Sequence, residues 1–168
     1  MLEWIPPLCL ALAAALLIAL SVIDLRVRLL PDKLVLPFAL LGILFHITTK
    51  WHYLDLTGML FGALAGFGIL FLIRAVANYV YKQDALGLGD VKLMGAAGLW
   101  LGADMVMMAL SVGAFAGLIH GIAVGLWIAY KTKSRPQFAR LQIPAGPGFA
   151  IGIVLVAAYM FHDLKLQG

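Results

Sequence analysis

The sequence predicts an all-α fold, a polytopic membrane protein of six transmembrane helices in one domain over residues 1–168, with both termini outside. Three observations lead there. The chain is 64% hydrophobic, with a mean hydropathy of +1.03, whereas soluble domains are about half apolar. Only 12% of its residues are charged, against about 25% in soluble domains, too few to cover a water-facing surface. The apolar residues also fall into runs separated by short polar connections that hold most of the charge.

The first helix is predicted over residues 5–23. Met1-Leu2-Glu3-Trp4 precedes it without Lys or Arg, unlike the positive start of a signal peptide, and Trp4 suits an interfacial anchor. A polar connection from Asp24 to Lys33 follows, where Pro31-Asp32 reads as a helix start with Asp32 near the N-cap. The second helix covers 34–48, with Pro37 in its first turn, where a missing N–H is tolerated. After the interfacial loop Lys50-Trp51-His52-Tyr53, the third covers 56–79. Gly58, Gly62 and Gly66 recur on it every four residues, a stripe that lets another helix pack close. The fourth covers 91–101 and the fifth 105–130, separated by Gly102-Ala103-Asp104. A second stripe, Gly113, Gly117, Gly121 and Gly125, runs along the fifth. The sixth covers 143–161, opening at Ile143-Pro144-Ala145-Gly146-Pro147.

Ten of the twelve basic residues fall on or beside the connections after helices one, three and five; Lys50 and Lys165 fall on the other side. The positive-inside rule puts those connections in the cytoplasm and both termini outside. Asp24 and Asp90 then share the cytoplasmic side. The fourth helix is also short, about 16 Å against a hydrocarbon core of about 30 Å. That shortness draws Asp90 below the interface or leaves it in a thinned, wetted recess.

Composition narrows the function. The lone Cys9 excludes a disulfide framework and a Cys-based zinc site within one chain. The net charge of +4 speaks to topology and a lipid bilayer with anionic headgroups rather than to nucleic acid. The stretch Gly87-Leu88-Gly89-Asp90-Val91-Lys92 carries the sharpest signal. A carboxylate at the mouth of a membrane helix is expensive and points to function, and Gly87 and Gly89 leave the adjacent backbone open to a substrate chain. Two carboxyls held close do not both ionise readily, so a pair holds one proton: one member activates water while the other polarises a carbonyl. Asp24 and Asp90 are the candidate pair. The plainer readings are an interfacial Asp24 paired with Arg26 or Arg28, and Asp90 as a helix N-cap. Lys92 is placed either to stabilise charge on Asp90 and hold a substrate carbonyl, or to snorkel to the interface. His120 is expected to make an interhelical hydrogen bond. Pro144, Gly146 and Pro147 mark a helix start beside the site that shapes a substrate groove, although a simple helix start explains Pro144 equally well.

Three blocks carry a resemblance to a known family: Asp24 to Pro37, Leu86 to Gly102, and Ile143-Pro144-Ala145-Gly146-Pro147-Gly148-Phe149. In order and spacing the chain resembles the type IV prepilin peptidases, membrane aspartyl enzymes of the Gly-x-Gly-Asp class. The resemblance implies a six-helix bundle, with Asp24 and Asp90 at the two catalytic positions. The implied substrate is a prepilin-like precursor (pilin, pseudopilin or Flp-type) whose short basic leader is cut after a glycine at the cytoplasmic face of a bacterial inner membrane. Many members carry a Cys-x-x-Cys domain and also methylate the new N-terminus. This sequence has one cysteine, so it resembles a peptidase-only form and implies no metal, no S-adenosylmethionine and no other cofactor. The competing readings are a small proton-coupled transporter and a presenilin-like intramembrane protease. Against the second, Asp24 follows Ile23 rather than Tyr, and Pro144-Ala145 is followed by Gly146 rather than Leu.

Overall fold

The structure, a computed structural model, describes residues 4–82, 86–132 and 145–164, all helical or connecting. Helix α1 is Ile5–Val27, with prolines in its first turn, where the missing N–H groups have no intrahelical partner to lose. It ends on Arg28 in the left-handed conformation. Helix α2 is Asp32–Thr48. It begins two residues earlier than the sequence suggests, so Pro37 lies inside the helix rather than in its first turn. Pro31, not Asp32, holds the N-cap position, and no side chain caps there. Helix α3 is Leu56–Tyr81, capped by Asp55, whose Oδ1 accepts the Gly58 N–H at 2.8 Å.

The fourth and fifth expected helices follow one another directly, as two limbs that meet at Gly102. Helix α4 is Leu88–Thr132, 45 residues long, but its backbone at Gly102 (φ 74°, ψ 178°) is not helical. A straight helix of that length would measure about 67 Å, more than twice the roughly 30 Å hydrocarbon core. Contacts with α3 show how the two limbs run. A methyl group on Gly62 would strike the Gly98 carbonyl and reach Gly102, whereas one on Gly66 would strike the Met94 carbonyl and approach Val106. One turn along α3 therefore moves backward along the first limb, 88–101, and forward along the second, 103–132. The limbs are antiparallel, and Gly102 is the bend between them. Gly102 is the position where the Gly-only backbone matters, because a side chain is strained in that region.

Helix α5 is Gly146–Met160. It lies antiparallel to the second limb: Gly148 faces Gly113 and Gly117, while Gly152 faces Ala109 and Gly113. Gly113, at the start of the glycine stripe, makes this close approach possible, since backbones can meet only where no Cβ intervenes. The first limb runs parallel to α2, with Lys92 on Asp32 near one end and Trp100 on Phe38 near the other. Helix α1 packs on α2 and α5, with Asp24 opposite Gly146. Among the described residues the helical passes thus alternate in direction, with Gly102 dividing α4 into two of them. Ile5–Val27, Leu56–Tyr81 and Leu88–Lys131 are long and apolar enough to cross a membrane; α5 is apolar but shorter.

The end near Gly102 is held by an aromatic cluster. Phe45 packs on Phe161 and Trp100 with ring centroids 4.7 and 5.4 Å apart. The Trp100 indole N–H donates to the Phe38 carbonyl at 2.8 Å. His46, fully buried, contacts the Trp100 carbonyl through Nε2 at 3.0 Å. A carbonyl only accepts, so Nε2 carries the proton. The buried histidine that links helices is therefore His46, while the expected His120 is exposed on the second limb.

Candidate active site

Both candidate acids sit at the opposite end of the bundle from that cluster. Asp24 lies in the last turn of α1 and Asp90 in the first turn of α4. They are 5% and 7% exposed and, with His46, are the buried polar or charged residues among those described. Unpaired buried carboxylates are costly, so their concentration at one end of an apolar bundle marks that end chemically. Asp24 also lies close enough for its charge to act on Asp90. The two residues are 66 positions apart in sequence, and the fold brings them together.

Two close approaches explain how. Gly89 packs against Leu30 in the α1–α2 connection; a Cβ on Gly89 would lie 2.7 Å from the Leu30 Cβ. The start of α4 is thereby drawn against the end of α1. Gly146 is the first residue of α5, and its N–H donates to Asp24 Oδ2 at 2.9 Å. The first N–H groups of a helix have no intrahelical acceptor and favour negative charge, so Asp24 completes α5 while α5 orients Asp24. Asp90 sits against Gly87, its Oδ2 3.0 Å from where a Cβ on that glycine would stand, near enough for the Gly87 N–H to act on it. Its Oδ1 is buried without a hydrogen-bond partner, as is His46 Nδ1 among the described buried side-chain atoms.

The remaining sequence candidates divide. Gly87, Gly89 and Gly146 lie at the site. Pro147 follows Gly146 in the first turn of α5, where proline suits the helix start. Pro144 lies outside the described residues. Lys92 points elsewhere: its Nζ contacts both Asp32 oxygens, at 2.8 and 2.7 Å, tying the first limb of α4 to the start of α2. One residue beside the site was visible in the sequence only as a topology charge. Arg74 of α3 donates from Nε to the Leu86 carbonyl at 2.8 Å, one residue before the Gly-x-Gly-Asp stretch. No group of three or more His, Cys, Asp or Glu among the described residues is arranged to hold a metal.

Chemically, the site offers two neighbouring carboxyls, each beside one backbone N–H, with an unpartnered oxygen on Asp90. That is the equipment for moving protons to and from a water and a carbonyl.

Comparisons with known proteins agree with this chemistry. Residues 11–122 match the type IV leader peptidase family. The prepilin leader peptidase/N-methyltransferase of Escherichia coli strain K12 is 34% identical over 143 residues, 85% of this chain and 59% of that protein. The protein of the same name from Pectobacterium carotovorum is 31% identical, covering 89% of this chain and 51% of that one. The chain thus spans about half the length of these curated relatives. No solved structure matches it.

Proposed function

Because the chain belongs to the type IV leader peptidase family, we propose that it is an aspartyl endopeptidase that removes the leader from prepilin-like precursors, with Asp24 and Asp90 as its catalytic pair. The observation that carries this reading is the meeting of two buried carboxylates from distant segments at one end of the bundle. Water is held between the carboxyls. One takes a proton from it as the water oxygen attacks the scissile carbonyl carbon, and the other gives a proton to the carbonyl oxygen. Collapse of the tetrahedral intermediate breaks the C–N bond, and the proton first taken passes to the leaving amine.

The six helical passes cross the bacterial inner membrane, with the site at its cytoplasmic face and the termini outside. Arg26, Arg28, Lys33, Arg74, Lys82 and Lys92 lie toward the site end, while Lys50 lies at the other, as the positive-inside rule requires. The precursor's apolar segment lies in the bilayer beside the bundle, and its basic leader faces the cytoplasm.

The test is cleavage of a purified prepilin-type precursor in liposomes by wild type, Asp24→Asn and Asp90→Asn, with mass analysis of the new N-terminus. Wild type cuts and neither variant does, although both remain folded. Normal processing by either variant overturns the pair. The product mass also reports whether a methyl group is added.

A further inference from the structure

Leu86 and Gly87 lead into α4. Gly87 lies outside any helix, yet the Asp90 carboxylate sits against it, its Oδ2 3.0 Å from where a Gly87 Cβ would stand, close enough for the Gly87 N–H to act on it. Asp24 differs, because its donor, Gly146, is already part of α5. The Leu86–Gly87 peptide also has an anchor outside the connection.

That anchor is on α3. Half-buried Arg74 donates from Nε to the carbonyl of Leu86 at 2.8 Å. The Leu86 carbonyl and the Gly87 N–H belong to one peptide group. The group is planar and trans, so its C=O and N–H point in opposite directions. With a guanidinium on the oxygen and a carboxylate beside the N–H, the group has one orientation left. Hydrogen bonds chained through a peptide also polarise one another, so the guanidinium makes the N–H a better donor. Arginine suits the task, because its charge is permanent and its donors sit in a rigid planar fork.

We propose that Arg74 is a positioning residue for Asp90, acting through the Leu86–Gly87 peptide group. It does not touch the reacting atoms. It fixes the peptide group beside the Asp90 carboxylate, whose buried Oδ1 has no hydrogen-bond partner among the described residues. Lys92, only two residues from Asp90, does not serve this purpose, since it is engaged with Asp32. The proposal rests on the reading of Asp90 as a catalytic acid.

The experiment compares steady-state cleavage of a prepilin-type precursor by wild type, Arg74→Gln, Arg74→Lys and Asp90→Asn in liposomes. Arg74→Gln is expected to lower kcat about tenfold or more, the worth of one charge-assisted hydrogen bond, with KM within about twofold. Arg74→Lys recovers part of the loss. A rise in KM at unchanged kcat makes Arg74 a substrate contact, and kcat and KM changing together with lost thermal stability makes it merely structural; either overturns the proposal, as does wild-type kcat in Arg74→Gln. A second measurement needs no turnover. The infrared carboxyl band that disappears in Asp90→Asn should shift in Arg74→Gln, or in Arg74→Lys if the glutamine variant does not fold, and an unmoved band overturns the proposal. The same assay keeps the two readings apart: cleavage by Asp90→Asn defeats the catalytic pair itself, while a silent Arg74→Gln beside an inactive Asp90→Asn defeats only the positioning role.

Discussion

The N–H of Gly146 donates to Oδ2 of Asp24 at 2.9 Å, joining residues 122 positions apart. The contact leaves no room for a side chain at Gly146. A Cβ there would lie 2.6 Å from that oxygen and 3.0 Å from the carboxyl carbon.

Gly146→Ala should therefore displace the Asp24 carboxyl while leaving α5 helical, since alanine is the better helix former. We expect cleavage of a prepilin-type precursor to fall by about tenfold or more, the cost of misplacing one charge-assisted hydrogen bond. Helical content and insertion should be unchanged. Circular dichroism beside the cleavage rate checks this, and wild-type turnover would show that the contact is dispensable.

The Lys92–Asp32 pair joins α4 to α2 at side chains 39% and 69% exposed. Partly exposed pairs contribute about 0–1 kcal/mol. Lys92→Met is accordingly expected to cost less than about 1 kcal/mol and to leave cleavage within about fivefold of wild type. Kinetics and unfolding of the variant measure both. A loss as deep as that of Asp90→Asn would return Lys92 to the chemistry.

The bend at Gly102 has φ 74° and ψ 178°, with the Leu54 side chain 2.9 Å from where a Cβ would stand. Gly102→Ala should cost about 1–3 kcal/mol from backbone strain alone. Since the bend turns the second limb back beside α3, where Gly66 meets Val106, cysteine cross-linking between the second limb and α3 should weaken in the variant. Unchanged stability and cross-linking would mean that the bend tolerates a side chain.

One pH effect follows from the connection between α2 and α3. The Tyr53 hydroxyl donates to Asp163 Oδ1 at 3.2 Å. Burial first, then the Asp163 charge and this hydrogen bond, raise the Tyr53 pKa above its ordinary value. The folded state therefore favours the protonated phenol. Its contribution is fully present below about pH 10, the unfolded value, and is lost as pH rises through the folded value. The melting temperature should fall over that alkaline range in wild type and fall less in Tyr53→Phe. Identical profiles would remove Tyr53 as the cause.

The class of the molecule and its two candidate acids could be read from the sequence. Hydropathy is a local property, so apolar runs and their charged connections can be read without knowing what packs on what. The break at Gly102 was legible for the same reason, as was the placing of Asp24 and Asp90 on one side, because loop charge sets orientation. Local signals misplaced the start of α2 by two residues, where Pro37 tempted the helix to begin later than it does. Which polar groups meet depends on how the helices pack. Lys92 turned to Asp32, His46 rather than His120 became the buried link between helices, and Arg74 reached the peptide ahead of Gly87. Each pairing depends on the rotation of one helix about its axis relative to another. That rotation is fixed by close glycine contacts such as Gly62 on Gly98 and Gly148 on Gly113, which hydropathy along a single segment does not encode.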